Sequence, residues 1–597
     1  MTQYQAPLKD MQFVLHSLLR IQETLAELPD YAGVDADTIN QILDEAGKFT
    51  GQVLSPLNAV GDQQGCKLAE DGSVKTPDGF RDAYQQFVEA GWPSLSADPE
   101  FDGQGLPAVM QIPVNEMIYG ANQAWGMYSG LTLGAYKCLS HFGTPEQKKT
   151  YLPKMGEGRW TGTMCLTESQ AGTDLGILRT RAEPVGDGSY KLSGTKIFIS
   201  AGEHDMSENI VHLVLARLPD APAGTRGISL FLVPRQIPDA QGEAGERNAI
   251  RCGALEHKMG INGNATCVMN LEGATGWLIG EPNRGLQAMF LMMNEARLGV
   301  GLEGLGISEG AYQKAVAYAR DRLQGRAPTG ERQAGQVADP IIQHPDVRRM
   351  LLTQKAYIEG GRALAYWTAL LVDIEAAHPD REQAQRAGKL VEFLTPVVKA
   401  FLTDNGMICT NLAIQCFGGH GYIRETGVEQ YFRDVRIKPI YEGTNGIQAM
   451  DLLGRKVLMD GGERLGLLVE DIQHFLQAHA EATHVLKYQS QLTELMGEIG
   501  EVTKEIGDRM REQPAEAGAA ASDYLRCMGH LIFGYLWLRS CVAAQQQLDS
   551  GRDQDFATAK LATAQFYFSR LFPETRYHLE AARAGADSVM ALTEAAF

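Results

Sequence analysis

The sequence predicts a mainly helical protein interrupted by one β-domain, and three observations carry that reading. The chain of 597 residues is 44% apolar and 21% charged, a globular balance, but at about four times a typical ~150-residue domain it is too long for one core. Apolar residues recur at three- and four-residue spacing up to about residue 160 and again from Leu286 onward, the period of amphipathic helices. Between these stretches the period drops to two, as in strands. The expected organisation is an N-terminal helical domain (1–160), a middle β-domain (161–285), a helical-bundle domain (286–456) and a helical C-terminal extension (457–597).

In the first part, Ile39, Ile42, Leu43, Ala46 and Phe49 follow helical spacing behind Asp37, an expected N-cap. A Gly/Pro-rich connector at 91–107 separates two helical groups. The middle part opens a hairpin at Gly186-Asp187-Gly188, followed by alternating Tyr190, Leu192, Ile197 and Ile199. Further strands are expected at 211–216, 227–233 and 265–271. Met289, Met292, Met293, Ala296 and Val300 then start a long helix. Its methionines read as core, because an unbranched thioether fills irregular gaps. A polar loop is expected at 327–340, and an alanine-rich linker at 514–521 inside the extension.

Charge and cysteine usage exclude several functions. Lys and Arg number 54 against 73 Asp and Glu, a net charge of −19, which disfavours nucleic acid or an anionic membrane as the main partner. The extension carries 20 acidic and 12 basic residues, so a basic DNA-binding tail is excluded as well. The nine cysteines form no C-x-x-C pair, which leaves neither a zinc site nor a disulfide framework and points to a reducing, cytoplasmic protein with no metal. The apolar run Leu531 to Leu538 stops at Arg539, short of the ~20 residues of a membrane span. The first residues lack the basic start and apolar core of a signal peptide.

Three separated motifs carry the chemistry. The first is Met164-Cys165-Leu166-Thr167-Glu168-Ser169-Gln170-Ala171-Gly172-Thr173-Asp174, the second Lys196-Ile197-Phe198-Ile199-Ser200. The third is Gln415-Cys416-Phe417-Gly418-Gly419 followed by Tyr441-Glu442-Gly443-Thr444-Asn445-Gly446. In this order they resemble the acyl-CoA dehydrogenase family, over roughly residues 90–455. The length and tail resemble its extended bacterial subgroup, which includes 3-methylmercaptopropionyl-CoA and long fatty acyl-CoA dehydrogenases. The resemblance implies a helical N-domain, a middle β-barrel or sandwich and a four-helix-bundle-type C-domain, with FAD as cofactor.

It further implies removal of a proton from Cα and a hydride from Cβ of an acyl thioester, giving a trans-2-enoyl-CoA. Glu442 then stands as the base, its pKa raised by an apolar pocket. Some family members carry the base on a helix, where this chain has Ala296, so Glu442 has no rival there. Met164, Leu166, Thr167, Phe198 and Ser200 match contacts to the flavin ring. Arg322 matches an arginine that binds the FAD pyrophosphate across a dimer interface, and otherwise reads as a solvated helix-end arginine. Gln415, Gly418 and Gly419 match the stretch that meets the adenylate, a helix C-cap being equally compatible; Thr444 and Gly446 complete the expected cofactor set. Thr173, Asn294, Arg297, Tyr441 and Gly443 match acyl-CoA contacts, although Arg297 could equally serve a structural ion pair. His344 reads as a capping or cofactor-edge residue and Cys165 as a buried small hydrophobe.

The implied partners are acyl-CoA and an electron-transfer flavoprotein, with a homodimer in which the tail packs over the catalytic domain. A mobile regulatory tail is the alternative, disfavoured by the aromatic and leucine density of 524–572. Fatty acyl-CoA, in β-oxidation, is the broader substrate expectation and 3-methylmercaptopropionyl-CoA the alternative. An acyl-CoA oxidase or a non-catalytic flavoprotein on the same fold are the competing functions.

Overall fold

The computed structural model describes residues 3–328, 330 and 335–597. Part of the polar loop expected at 327–340 therefore lies outside the described residues. The chain divides into two units, 46–299 and 1–45 together with 300–597.

The helix α1 (Ala36–Phe49) forms where its spacing predicts. Its cap is not Asp37: the Asp35 carboxylate accepts the Thr38 N–H at 2.8 Å, two residues upstream, because Asp37 already lies inside the helix. In the unit 46–299 follow α2 (Phe80–Glu89), α3 (Ala108–Ala121), α4 (Gln123–Phe142) and α5 (Pro145–Gly156). Asn122 caps α4 by accepting the Trp125 N–H, and Thr144 with Gln147 forms a capping box on α5.

The sheet follows with β1 (Trp160–Cys165), β2 (Arg181–Pro184), β3 (Tyr190–Ser200), β4 (Asn209–Arg217), β5 (Ile228–Pro234), β6 (Ile250–Leu255) and β7 (Thr266–Ile279). The strand order is β6-β7-β3-β2-β4-β1, and β5 pairs with both β7 and β4. That double pairing closes β7, β3, β2, β4 and β5 into a small barrel, which removes their free edges. The β2–β3 hairpin turns through Gly186 and Gly188, as its sequence predicts.

Strands β4 and β5 read as continuous apolar runs because both faces are covered. Leu213, Leu215, Leu230 and Leu232 pack with Ala135, Leu139, Leu152, Met155, Met289 and Met292 of the helices. The alternate residues Val214, Ala216, Phe231 and Val233 join Leu192, Ile199, Cys267 and Met269 in a second core. Met289 and Met292 are fully buried there, so the methionine stripe is core. They begin α6 (Gly285–Asp321), whose residues from Val300 belong to the other unit.

That unit adds α7 (Pro345–Ala377), α8 (Arg381–Phe417), α9 (Asn445–Met450), α10 (Glu463–Ala478), α11 (Thr483–Met510), α12 (Ala515–Asp549) and α13 (Gln554–Phe566). The linker expected at 514–521 is instead the first two turns of α12. Alanine is the strongest helix former, and Ala520 and Ala521 are buried. By length and hydropathy α12 could cross a membrane, but 89% of its apolar window is buried inside the protein.

The extension packs closely on the bundle. A Cβ on Gly529 of α12 would stand 2.3 Å from the Phe401 ring of α8, and one on Gly360 of α7 would stand 2.7 Å from Phe533. A buried ion cluster ties the same elements to the N-terminus. Arg362 meets Asp10 and, at 2.8 Å, Glu309. Lys560 of α13 meets Asp10 and, at 2.6 Å, Glu359. Burial would raise the Asp10 carboxyl, but Lys560 and Arg362 outweigh it and hold the group far below its ordinary value.

Candidate active site

In the unit 46–299 the first two motifs lie side by side. The Ile197 N–H donates to the Thr167 carbonyl at 2.9 Å. The fully buried Lys196 ammonium donates to the Leu166 carbonyl at 2.9 Å and to Glu168 at 2.9 Å. Glu168 also accepts from the Arg179 N–H, the Thr180 N–H and the Thr180 hydroxyl. Burial pushes the Glu168 carboxyl up, but Lys196 and those donors prevail and bring it down to about 2. Burial also pulls the Lys196 ammonium below its ordinary value, while Glu168 pulls it back. The pair fixes both motifs to one scaffold. Both residues lie in the sequence motifs, where the motifs assign them no role. The sequence signal for the pair is a lysine on the inward face of an alternating strand.

Phe198 sits where the β3–β7 register shifts between Cys267 and Met269. This bulge re-aims the side chain. The residue adopts φ +59° and is 60% exposed, an unusual backbone for an aromatic residue. Among the described residues, the half-buried Thr167 and Ser200 hydroxyls make no side-chain hydrogen bond. An exposed ring beside two available hydroxyls fits the apolar face and polar edge of a flavin. Met164 and Leu166 are half-buried beside them, and Thr173 is exposed on the loop that follows.

On α6, Arg297 donates to Asn294 at 3.4 Å, while Glu295 turns away to pair with Lys137 at 2.8 Å. Cys165 is buried and burial pushes its thiol up to about 11, in keeping with an inert small hydrophobe.

The remaining predicted residues lie in the other unit. Arg322 is exposed just beyond α6, in a segment held by Ile341 N–H to Arg322 carbonyl (2.8 Å) and Gln324 N–H to Asp339 carbonyl (3.0 Å). His344 occupies the N-cap position of α7, but its ring makes no cap bond; it lies 2.7 Å from the Gln324 carbonyl. Gln415 is exposed near the end of α8, and Gly418 ends that helix at φ +58° and ψ −138°, a conformation that requires glycine. The C-cap reading of Gly418 therefore holds, with Gly419 exposed next to it.

The turn Tyr441 to Gly446 carries the densest set of constraints. Glu442 has φ +57° and Gly443 φ +80°. The Thr444 hydroxyl caps α9 by accepting the Ile447 N–H at 3.3 Å. The Gln448 amide donates to the carbonyls of Glu442 (3.0 Å) and Gly443 (3.3 Å). Asn445 donates to the Ala400 carbonyl (3.3 Å), Thr403 (3.0 Å) and Asp404 (2.7 Å), and accepts from Lys399 at 2.8 Å. Such bonds hold Glu442 in a backbone region that costs about 1–3 kcal/mol for a non-glycine residue. The residue is half-buried.

Four family models match in sequence order. They are the acyl-CoA dehydrogenase N-terminal domain (37–159), middle domain (163–274) and C-terminal domain (283–458), and the acetyl-CoA dehydrogenase C-terminal-like region (468–593). The chain belongs to the acyl-CoA dehydrogenase family. This dehydrogenase is 44% identical over 585 residues, 96% of each chain, to 3-methylmercaptopropionyl-CoA dehydrogenase of Ruegeria pomeroyi. It is 34% identical, over 100% of both chains, to the broad-specificity linear acyl-CoA dehydrogenase FadE5 of Mycobacterium tuberculosis. Its fold matches a Bacillus anthracis acyl-CoA dehydrogenase solved with FAD, at TM-score 0.74 and 20% identity, covering 94% of this chain and 90% of that one. The enzyme is thus a flavin-dependent oxidoreductase with FAD as cofactor.

Proposed function

We propose that this dehydrogenase forms a trans-2-enoyl-CoA from a short acyl-CoA thioester, with Glu442 as the base. The observation that carries the reading is the turn itself, which holds one carboxylate on left-handed backbone and is braced beyond it by Asn445 and Gln448. Strain of that kind persists where geometry serves function. Bound FAD supplies the hydride acceptor that no side chain can provide. The Glu442 carboxylate takes the Cα proton. Its own backbone N–H donates to the thioester carbonyl, polarising it and acidifying that proton.

Met164, Leu166, Thr167, Phe198 and Ser200 hold the flavin ring. Arg322, Gln415, Gly418 and Gly419 hold the pyrophosphate and adenylate from the neighbouring subunit of a homodimer, and Thr444 and Gly446 complete the set. Thr173, Asn294, Arg297, Tyr441 and Gly443 contact the acyl-CoA. The electrons leave to an electron-transfer flavoprotein.

For the acyl group, 44% identity along nearly the whole chain supports the 3-methylthiopropionyl thioester. A linear fatty acyl chain is the second reading, supported by the full-length match to FadE5. Anaerobic titration of the holoenzyme with 3-methylthiopropionyl-, octanoyl- and palmitoyl-CoA tests both. Preferential bleaching of the flavin by the thioether substrate supports the first, and bleaching by the longer chains replaces it with the second. A flavin that none of them bleaches rejects all three substrates.

A further inference from the structure

Lys438 is fully buried, three residues before Tyr441. A lysine almost never reaches that state unpaired. Its ammonium lies 2.8 Å from Glu303, a buried carboxylate on α6, and donates to the Tyr441 hydroxyl at 2.8 Å. The same hydroxyl donates to Glu303. Three groups therefore close a cycle in which each is bonded to the other two. The ammonium also stands 5.0 Å from the centre of the Tyr441 ring. Burial pulls the Lys438 ammonium below its ordinary value, and Glu303 opposes that pull.

Stability alone does not account for such a cycle, because a well-packed apolar pair of similar volume serves a core as well or better. Its location supplies another reason. Tyr441 is covalently joined to Glu442, whose backbone is left-handed. Beyond Glu442 the turn is braced by Asn445 and Gln448. Before Glu442 the brace is the Lys438–Glu303–Tyr441 cycle, which fixes the tyrosine ring at its tip.

We infer that Lys438 and Glu303 are positioning residues that aim the Glu442 carboxylate through the Tyr441 side chain. The inference rests on Glu442 being the base. Misplacement of a reacting group by about 1 Å costs on the order of 100-fold in rate, so a loosened turn registers in kcat before it registers in binding.

The test uses FAD-loaded Lys438→Met, Tyr441→Phe and the double variant Lys438→Met with Glu303→Met. Steady-state kcat and KM, the single-turnover rate of flavin bleaching and Tm are measured for each. Lys438→Met leaves Glu303 buried without its cation, so both Tm and kcat fall. The double variant removes both charges and recovers Tm, while kcat stays about 10- to 100-fold below wild type and KM stays within about threefold. Tyr441→Phe keeps the ring and loses its tether, and lowers kcat in the same way with Tm little changed. Recovery of kcat together with Tm in the double variant, or wild-type kcat in Tyr441→Phe, overturns the inference. Glu442→Gln is the control that separates the two ideas. If it turns over normally, the base assignment fails; if it is inactive while Tyr441→Phe and the double variant turn over normally, only the positioning role fails.

Discussion

Glu168 and Lys196 show how a single pair of charges holds a site. Both side chains are buried, at 5% and 0% exposure, and between them they fix the segment carrying Thr167 and the strand carrying Phe198. Lys196→Met leaves an uncompensated carboxylate, a change that costs about 3–5 kcal/mol in comparable buried pairs. The expected result is a lower Tm and a lower ratio of flavin to protein absorbance after purification. The sign of the pH effect follows from the shift. The Glu168 carboxyl titrates near 2 in the folded protein instead of its ordinary 4.5, so its contribution is present above 4.5 and is lost as pH falls through 2. The inward-facing lysine of an alternating strand is a signal in the sequence, but its partner is not legible there, since 28 residues separate them and only the barrel brings them together. The motifs around them are legible because each is a short contiguous run.

At the scale of elements, the extension is part of the bundle it covers. Helix α12 approaches α8 at Gly529, where no side chain fits beside Phe401, and it also packs on α9, the helix that follows the Glu442 turn. Gly529→Val forces these helices apart, with an expected loss of about 1–3 kcal/mol from overpacking. Urea unfolding followed by tryptophan fluorescence measures it, and an unchanged midpoint contradicts the packing. The density of leucine and aromatic residues in 524–572 signalled this packing. The first turns of α12 resemble a linker in sequence because alanine-rich composition resembles low complexity. What decides between a linker and a helix is burial against distant residues, and spacing along the chain does not encode that. The strands β4 and β5 were found despite weak alternation, since long β-branched and leucine runs leave few other choices.

At the scale of the molecule, buried neutral histidines set the response to acid. Burial drives His212 down to about 3 and His530 down to about 4 from an ordinary 6.5. A group whose folded pKa is depressed contributes stability above its unfolded pKa and loses it below. The protein is therefore expected to lose stability as pH falls from 6.5 toward 4, before the Glu168 pair titrates. Urea midpoints measured at half-unit steps across that window check this, and a flat profile refutes it. The buried cluster of Asp10, Glu359, Arg362 and Lys560 ties the N-terminus to the extension in one unit.

The most direct test of the account is the Glu442→Gln variant, loaded with FAD and mixed anaerobically with 3-methylthiopropionyl-CoA and, separately, octanoyl-CoA. The wild-type flavin is expected to bleach with at least one of them. The variant is expected to bind the same thioester, seen as a shift in the flavin spectrum, and to bleach slower by at least about 1000-fold, the scale set by losing a positioned base together with its orientation. A variant that bleaches at the wild-type rate contradicts Glu442 as the base, and with it the role assigned to the turn that holds it.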